Sequence, residues 1–179
     1  SILILEPPIL SVDTLSTTEA SCDSSCDAQA IIVANGGTPP YTYLWDNGDT
    51  NTLADSLCTS TYYVTVTDQN SCSTIDTVVI LGPDGLTSNI VDTTMVSCSG
   101  ICDGAATVRG FGGTPPYTYS WIDTSTGVIL GPGLTDTVIT GLCAGFYYAV
   151  IKDTNNCITT VGILITEPLP LAPSICTIN

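Results

Sequence analysis

Apolar and polar positions alternate with a period of two in the segments richest in branched and aromatic residues. Tyr62, Val64 and Val66 share one parity and Tyr63, Thr65 and Thr67 the other; Tyr147, Ala149 and Ile151 alternate likewise with Tyr148, Val150 and Lys152. Successive side chains of a strand point to opposite faces, so this pattern predicts half-buried β-strands. No segment carries a helical period. Further strands are predicted over Ile9 to Asp13, Ala28 to Ala34, Tyr41 to Trp45 and Thr74 to Leu81, and at their later counterparts. Turn residues punctuate them: Asn35-Gly36-Gly37, Asn47-Gly48, Asp68-Gln69-Asn70, Gly131-Pro132-Gly133 and Asn155-Asn156.

The pattern occurs twice. The octapeptide GGTPPYTY spans Gly36 to Tyr43 and again Gly112 to Tyr119, so the chain is a tandem repeat and not a scaffold for one site. Cys22, Cys26, Trp45, Cys58, Tyr62, Asp68 and Cys72 recur in order as Cys98, Cys102, Trp121, Cys143, Tyr147, Asp153 and Cys157. The offset is 76 at Cys22 and 85 at Cys58, which places nine extra residues between Trp121 and Cys143. Six or seven short strands per copy predict an all-β fold of tandem immunoglobulin-like antiparallel sandwiches, residues 8–83 and 84–168. Residues 1–7 match the closing run Gly162 to Pro168, so Ile2, Leu3, Ile4 and Leu5 are expected to serve as the last strand of a preceding module or as a donor strand. Residues 169–179 are expected to open a following module.

Within such a sandwich, Trp45 and Trp121 are expected to plug the core between the sheets. Tyr62 and Tyr147 stand where a tyrosine corner ties a strand entry to the preceding loop. Their inward parity favours that role over sugar stacking, while Tyr63 and Tyr148 point outward and are better placed for surface contact.

Charge removes several partners. Seventeen acidic residues face only Arg109 and Lys152, a net charge of -15 with no histidine. Phosphate backbones and anionic lipid would repel such a chain, so nucleic acid is not an expected partner. No apolar run is long enough for a helix to span a bilayer, so membrane insertion is not expected. Yet only 11% of residues are charged, which suits a solvated sheet surface and not a disordered acidic tail.

Nine cysteines at repeating spacings point to an oxidising, extracellular setting. Zinc is the competing explanation, but CxxxC without histidine and with thiols scattered along each copy fits it poorly. The disulfide candidates are Cys22, Cys26, Cys58, Cys72, Cys98, Cys102, Cys143 and Cys157. Cys58 and Cys72 bracket a strand about 25 Å long, whereas bonded cysteines need Cα atoms within about 7 Å, so they should not pair within one module. Cys22 and Cys26 either close a local loop or serve Cys58 and Cys72 separately. Cys176 is the odd ninth.

Catalysis is not expected. Nucleophilic dyads with histidine are unavailable, and the aspartates that remain for carboxylate chemistry cluster at turns, where they cap backbone amides. No cofactor is expected. Calcium is the rival: Asp46, Asp49 and Asn51 bring hard oxygens close together, but the second copy has only Asp123 nearby.

The motif GGTPPYTYxW, followed by LCxxxYYVxVTDxNxC and ILITEP, resembles the SprB-type repeat of Bacteroidetes cell-surface, gliding-motility adhesins. The resemblance covers two full modules and flanking fragments, and implies a surface location and no catalysis. This chain departs from the pattern in the missing EP at Gly82-Pro83, in the nine-residue insertion and in a CxxxC at each module's entry. A second resemblance is to the Bacteroidetes O-glycosylation acceptor, Asp followed by Ser or Thr and then an aliphatic residue or Thr, which makes Thr14, Ser56, Thr77, Thr93 and Thr137 candidate glycan carriers; no Asn-linked sequon is present. Two functions follow as expectations. One is a structural or adhesive fibre unit whose partners are copies of itself, adjoining repeats and surface glycans; the other is a carbohydrate-binding or spacer module of a secreted enzyme.

Overall fold

A computed structural model describes residues 6–134 and 137–169. Ile2 to Leu5, Asp136 and Cys176 therefore lie outside the described residues. The chain divides into two compact units, Ser1–Gly85 and Leu86–Asn179.

The described residues of the first unit form six strands: β1 (Ser11–Thr17), β2 (Ala28–Asn35), β3 (Thr42–Trp45), β4 (Leu53–Leu57), β5 (Ser60–Thr67) and β6 (Ser73–Ile80). They form two antiparallel sheets, β1-β2-β4 and β3-β5-β6. The period-two pattern decides which side chains enter: Ala28, Ala30, Ile32 and Ala34 of β2 are buried, as are Val64 and Val66 of β5. These join Trp45, Ala54, Leu57, Val78 and Ile80 in one core. Trp45 is 1% exposed, and its indole Nε1 donates to the Asn51 carbonyl at 2.9 Å, so its one polar atom is satisfied inside.

The second unit repeats this plan with one strand more. β7 (Thr87–Thr94), β8 (Gly104–Phe111) and β11 (Val138–Leu142) make the sheet β11-β8-β7. β9 (Thr118–Asp123), β10 (Ile129–Leu134), β12 (Gly145–Lys152) and β13 (Ile158–Ile165) make the sheet β10-β9-β12-β13. The added strand is β10, which pairs with β9 through Ile129↔Ile122 and Leu130↔Trp121, so the inserted segment is spent on an extra sheet edge.

Three strands depart from the sequence expectation: Gly131-Pro132-Gly133, expected as a turn, lies within β10. β1 starts at Ser11 and not at Ile9, because the Pro8 carbonyl accepts the Gly37 amide at 2.7 Å and holds that segment to the glycine loop. β4 escapes the periodicity altogether: Ala54 and Leu57 face the core, but the register shifts along its pairing with β2 and Ser56 has φ 55.

Candidate functional site

Each unit has an entry pole, where the chain comes in, and an exit pole, where it leaves. At the entry pole of the first unit Gly36 and Gly37 turn with φ 68 and 60, and a Cβ at Gly36 would collide with the Ile9 carbonyl, so glycine is required there. Asp68, 6% exposed, closes this pole: its Oδ2 accepts the Thr38 amide and its Oδ1 the amides of Asn70 and Cys72, all at 2.9 Å. Burial pushes this carboxyl up, yet the Thr38, Cys72 and Asn70 amides outweigh it and hold it below the usual Asp value. Asp153 does the same work in the second unit, accepting from Thr114 at 2.8 Å and from Cys157 at 2.9 Å.

The exit pole carries the CxxxC loop and a disulfide. Cys26 bonds Cys58 and Cys102 bonds Cys143, which joins the loop after the first strand of each unit to the turn before β5 or β12. The local Cys22–Cys26 closure does not form. Cys22 and Cys157 are also disulfide-bonded, whereas Cys72 and Cys98 are exposed free thiols. Tyr62 locks the same turn, its hydroxyl accepting from the Cys58 amide at 2.9 Å and donating to the Cys58 carbonyl; Tyr147 donates to the Cys143 carbonyl at 3.0 Å. These hydroxyls are engaged and Tyr147 is buried, so neither ring is an open stacking platform.

The CxxxC loop is tied by Asp27, whose Oδ1 accepts from the Ser21 amide and the Ser25 hydroxyl, each at 2.9 Å. Those bonds, Ser21's first, bring its pKa down to about 2. Asp103 accepts the Ser97 amide at 2.9 Å in the second unit, and Ser97 lowers it in the same way.

The outer faces of β3-β5-β6 and β12-β13 carry exposed apolar side chains. Leu44, Tyr63, Ile75 and Val79 lie open in the first unit, Phe146, Tyr148, Ile158 and Leu164 in the second. Phe146 and Tyr148 meet edge to face at 5.2 Å over Gly162, where any Cβ would strike the Phe146 ring. Tyr63 pairs with Thr77 across β5 and β6. Of the candidate glycan carriers, Thr14, Ser56 and Thr77 are exposed, and Thr93 and Thr137 half-buried. A groove of about 430 Å³ lies between β9, β10 and β11 of the second unit, lined by Trp121, Ile129, Leu130, Val138 and Ile139.

The calcium candidates are occupied locally. Asp46 accepts the Tyr63 amide, Asp49 accepts from the Asn47 side chain, and the Asn51 carbonyl takes the Trp45 indole. Among the described residues no group of three or more His, Cys, Asp or Glu is arranged to hold a metal ion. No described helix is long and apolar enough to cross a membrane.

The SprB repeat family model matches the chain at residues 14–50 and 90–126. Each match runs from the first strand of a unit past its buried tryptophan, so what resembles the SprB repeat is the first half of each sandwich. Such repeats are typical of cell-surface proteins, and the disulfides fit an extracellular location. None of the curated proteins matches the chain. Among solved structures, the three N-terminal domains of the bacteriophage RB49 highly immunogenic outer capsid protein align at 14% identity and TM-score 0.52, over 89% of this chain and 59% of that one. The C-terminal 282-residue fragment of intimin, solved with its translocated receptor's binding domain, aligns at 15% identity and TM-score 0.40, over 91% and 64%. The fibronectin(III)-like modules of Clostridium thermocellum CbhA align at 10% identity and TM-score 0.38, over 88% and 95%. The chain thus spans under two thirds of the capsid fragment, and the likeness concerns the fold.

Proposed function

We propose that this chain is a structural and adhesive segment of an extracellular surface fibre built from such modules end to end. The observation that carries it is the polarity of each unit. The chain enters beside the glycine loop and Asp68 or Asp153, and leaves beside the CxxxC loop, where Ala20 donates to the Leu81 carbonyl at 2.9 Å and Val96 to the Thr166 carbonyl at 3.3 Å. A module that takes the chain in at one pole and releases it at the other extends an array with each copy, whereas a catalytic domain needs only one. Ile2 to Leu5, matching β6 and β13 in sequence, would complete a neighbouring module as its closing strand, since an apolar strand edge is satisfied by pairing. The open aromatic face of Phe146 and Tyr148 supports contact with surface glycans, because sugar rings stack on exposed aromatic planes. Glycans on Thr14, Ser56, Thr77, Thr93 and Thr137 would add a hydrated coat.

Protease treatment of intact producing cells tests this reading. Peptides from both units should be released without lysis and in proportion to each other. Recovery only from culture fluid, in one species with a hydrolase activity, would favour the accessory module of a secreted enzyme instead.

A further inference from the structure

Four described cysteines stand apart from the Cys26–Cys58 and Cys102–Cys143 bonds, and they fall into two repeat-related pairs. Cys22 and Cys98 each lie four positions before the bonded cysteine of the CxxxC loop. Cys72 and Cys157 each lie four positions after the buried aspartate, whose Oδ1 accepts their amides at 2.9 Å. In both pairs one member is disulfide-bonded and its counterpart is an exposed free thiol: Cys22 against Cys98, and Cys157 against Cys72. The two members of each pair hold the same position in the repeat, and Cys72 and Cys157 make the same amide bond to the buried aspartate.

The poles say what is missing. Cys98 belongs to the exit pole of its unit, where the Gly100 amide donates to the Glu167 carboxylate at 3.1 Å, just past β13. Cys72 belongs to the entry pole of its unit, on the turn that Asp68 ties to the glycine loop receiving Pro8. Along any array of these repeats the exit pole of one copy comes directly before the entry pole of the next.

We propose that Cys98 and Cys72 are the two halves of a disulfide between successive copies, the exit-pole Cys98 of one copy bonding the entry-pole Cys72 of a second. The polarity makes this contact heterologous, so it does not close at a dimer but propagates into a linear, covalently cross-linked chain of modules. Bonds between like cysteines would instead reverse the chain direction at each junction. The oxidant is a small-molecule disulfide such as oxidised glutathione. The Cys98 thiolate attacks one of its sulfurs and expels one glutathione thiolate; the Cys72 thiolate then attacks the Cys98 sulfur and expels the second. Two thiols are oxidised, one glutathione disulfide is reduced to two glutathiones, and the thiol protons end on them. The inference stands on the repeat geometry alone and holds whether or not the fibre is adhesive.

The test is oxidation of the purified 179-residue chain in a glutathione redox buffer, followed by non-reducing electrophoresis and peptide mapping with an Asp/Glu-cleaving protease. A ladder of multimers with linked Cys72 and Cys98 peptides is expected. Cys72→Ser and Cys98→Ser should each abolish the ladder, and mixing the two should give a heterodimer and nothing longer. Circular dichroism of both variants controls for folding. In native material, the same linked peptides without a ladder place the next copy in the same polypeptide, and with a ladder in another chain. The proposal is overturned if both thiols remain open to alkylation, if Cys72–Cys72 or Cys98–Cys98 dimers form, or if either thiol is found bonded to Cys176.

Discussion

Asp68 reaches across thirty positions of sequence to accept the Thr38 amide at 2.9 Å while its other oxygen takes the Asn70 and Cys72 amides. One carboxylate therefore fixes the glycine loop to the β5–β6 turn, and Asp153 repeats the contact at Thr114. Removing it leaves three part-buried amides unpaired at once, which costs more than removing a single exposed bond. Asp68→Ala should lower Tm by several degrees in thermal denaturation. Asp46→Ala, which removes only an exposed acceptor from Tyr63, should lower it far less. Equal effects would show that the clamp is not what holds the entry pole.

The acidic side chains also set the pH response. Asp27 falls from the ordinary 3.8 to about 2, and Asp68, Asp103 and Asp123 are lowered too. A carboxyl that binds its proton less tightly when folded stabilises the fold fully above 3.8, and that contribution is lost as the pH falls toward about 2. Repulsion within a chain of net charge -15 eases over the same range, so a difference between two proteins is the clean readout. Denaturation from pH 5 to pH 2 should show Asp27→Asn destabilised relative to wild type at pH 5, with the gap narrowing as the pH falls. A gap independent of pH would mean that the Ser21 and Ser25 bonds do not depend on the charge.

Much of the fold is legible in the sequence because the buried strands alternate: β2 and β8 bury every second residue throughout, β5 does so from Val64 and β12 from Tyr147. The repeat sets the tryptophans, the corner tyrosines and the clamp aspartates at matching positions of the two copies, which is enough to single them out. What stays hidden lacks periodicity or is long-range. β4 carries a register shift and a left-handed Ser56, and β10 is built from an insertion rich in turn residues. The Asp68–Thr38 bond joins two turns that each look self-sufficient locally. Cysteine spacing excludes a Cys58–Cys72 bond but leaves the partner of Cys26 open, because only the packing of the sheets brings it to Cys58.

Glycosylation at the Asp-Ser/Thr positions is read from mass. Native protein carrying glycans on Thr14, Ser56 or Thr77 should exceed 18.5 kDa by sugar increments, with these exposed hydroxyls occupied before Thr93 and Thr137. A native mass equal to the bare polypeptide removes the glycan coat from the account.

The closing-strand role of Ile2 to Leu5 separates folding from assembly. Deleting Ser1 to Pro7 should leave the cooperative unfolding of both units in place and should abolish end-to-end association measured by light scattering. Assembly unchanged by the deletion would exclude strand completion.

The fibre itself is tested most directly by immunogold electron microscopy of intact producing cells with antibody raised against the purified chain. Gold along filaments that project from the cell surface is the predicted result. Gold absent from every surface filament, with the antigen recovered inside cells or as a soluble enzyme subunit, would contradict the central claim.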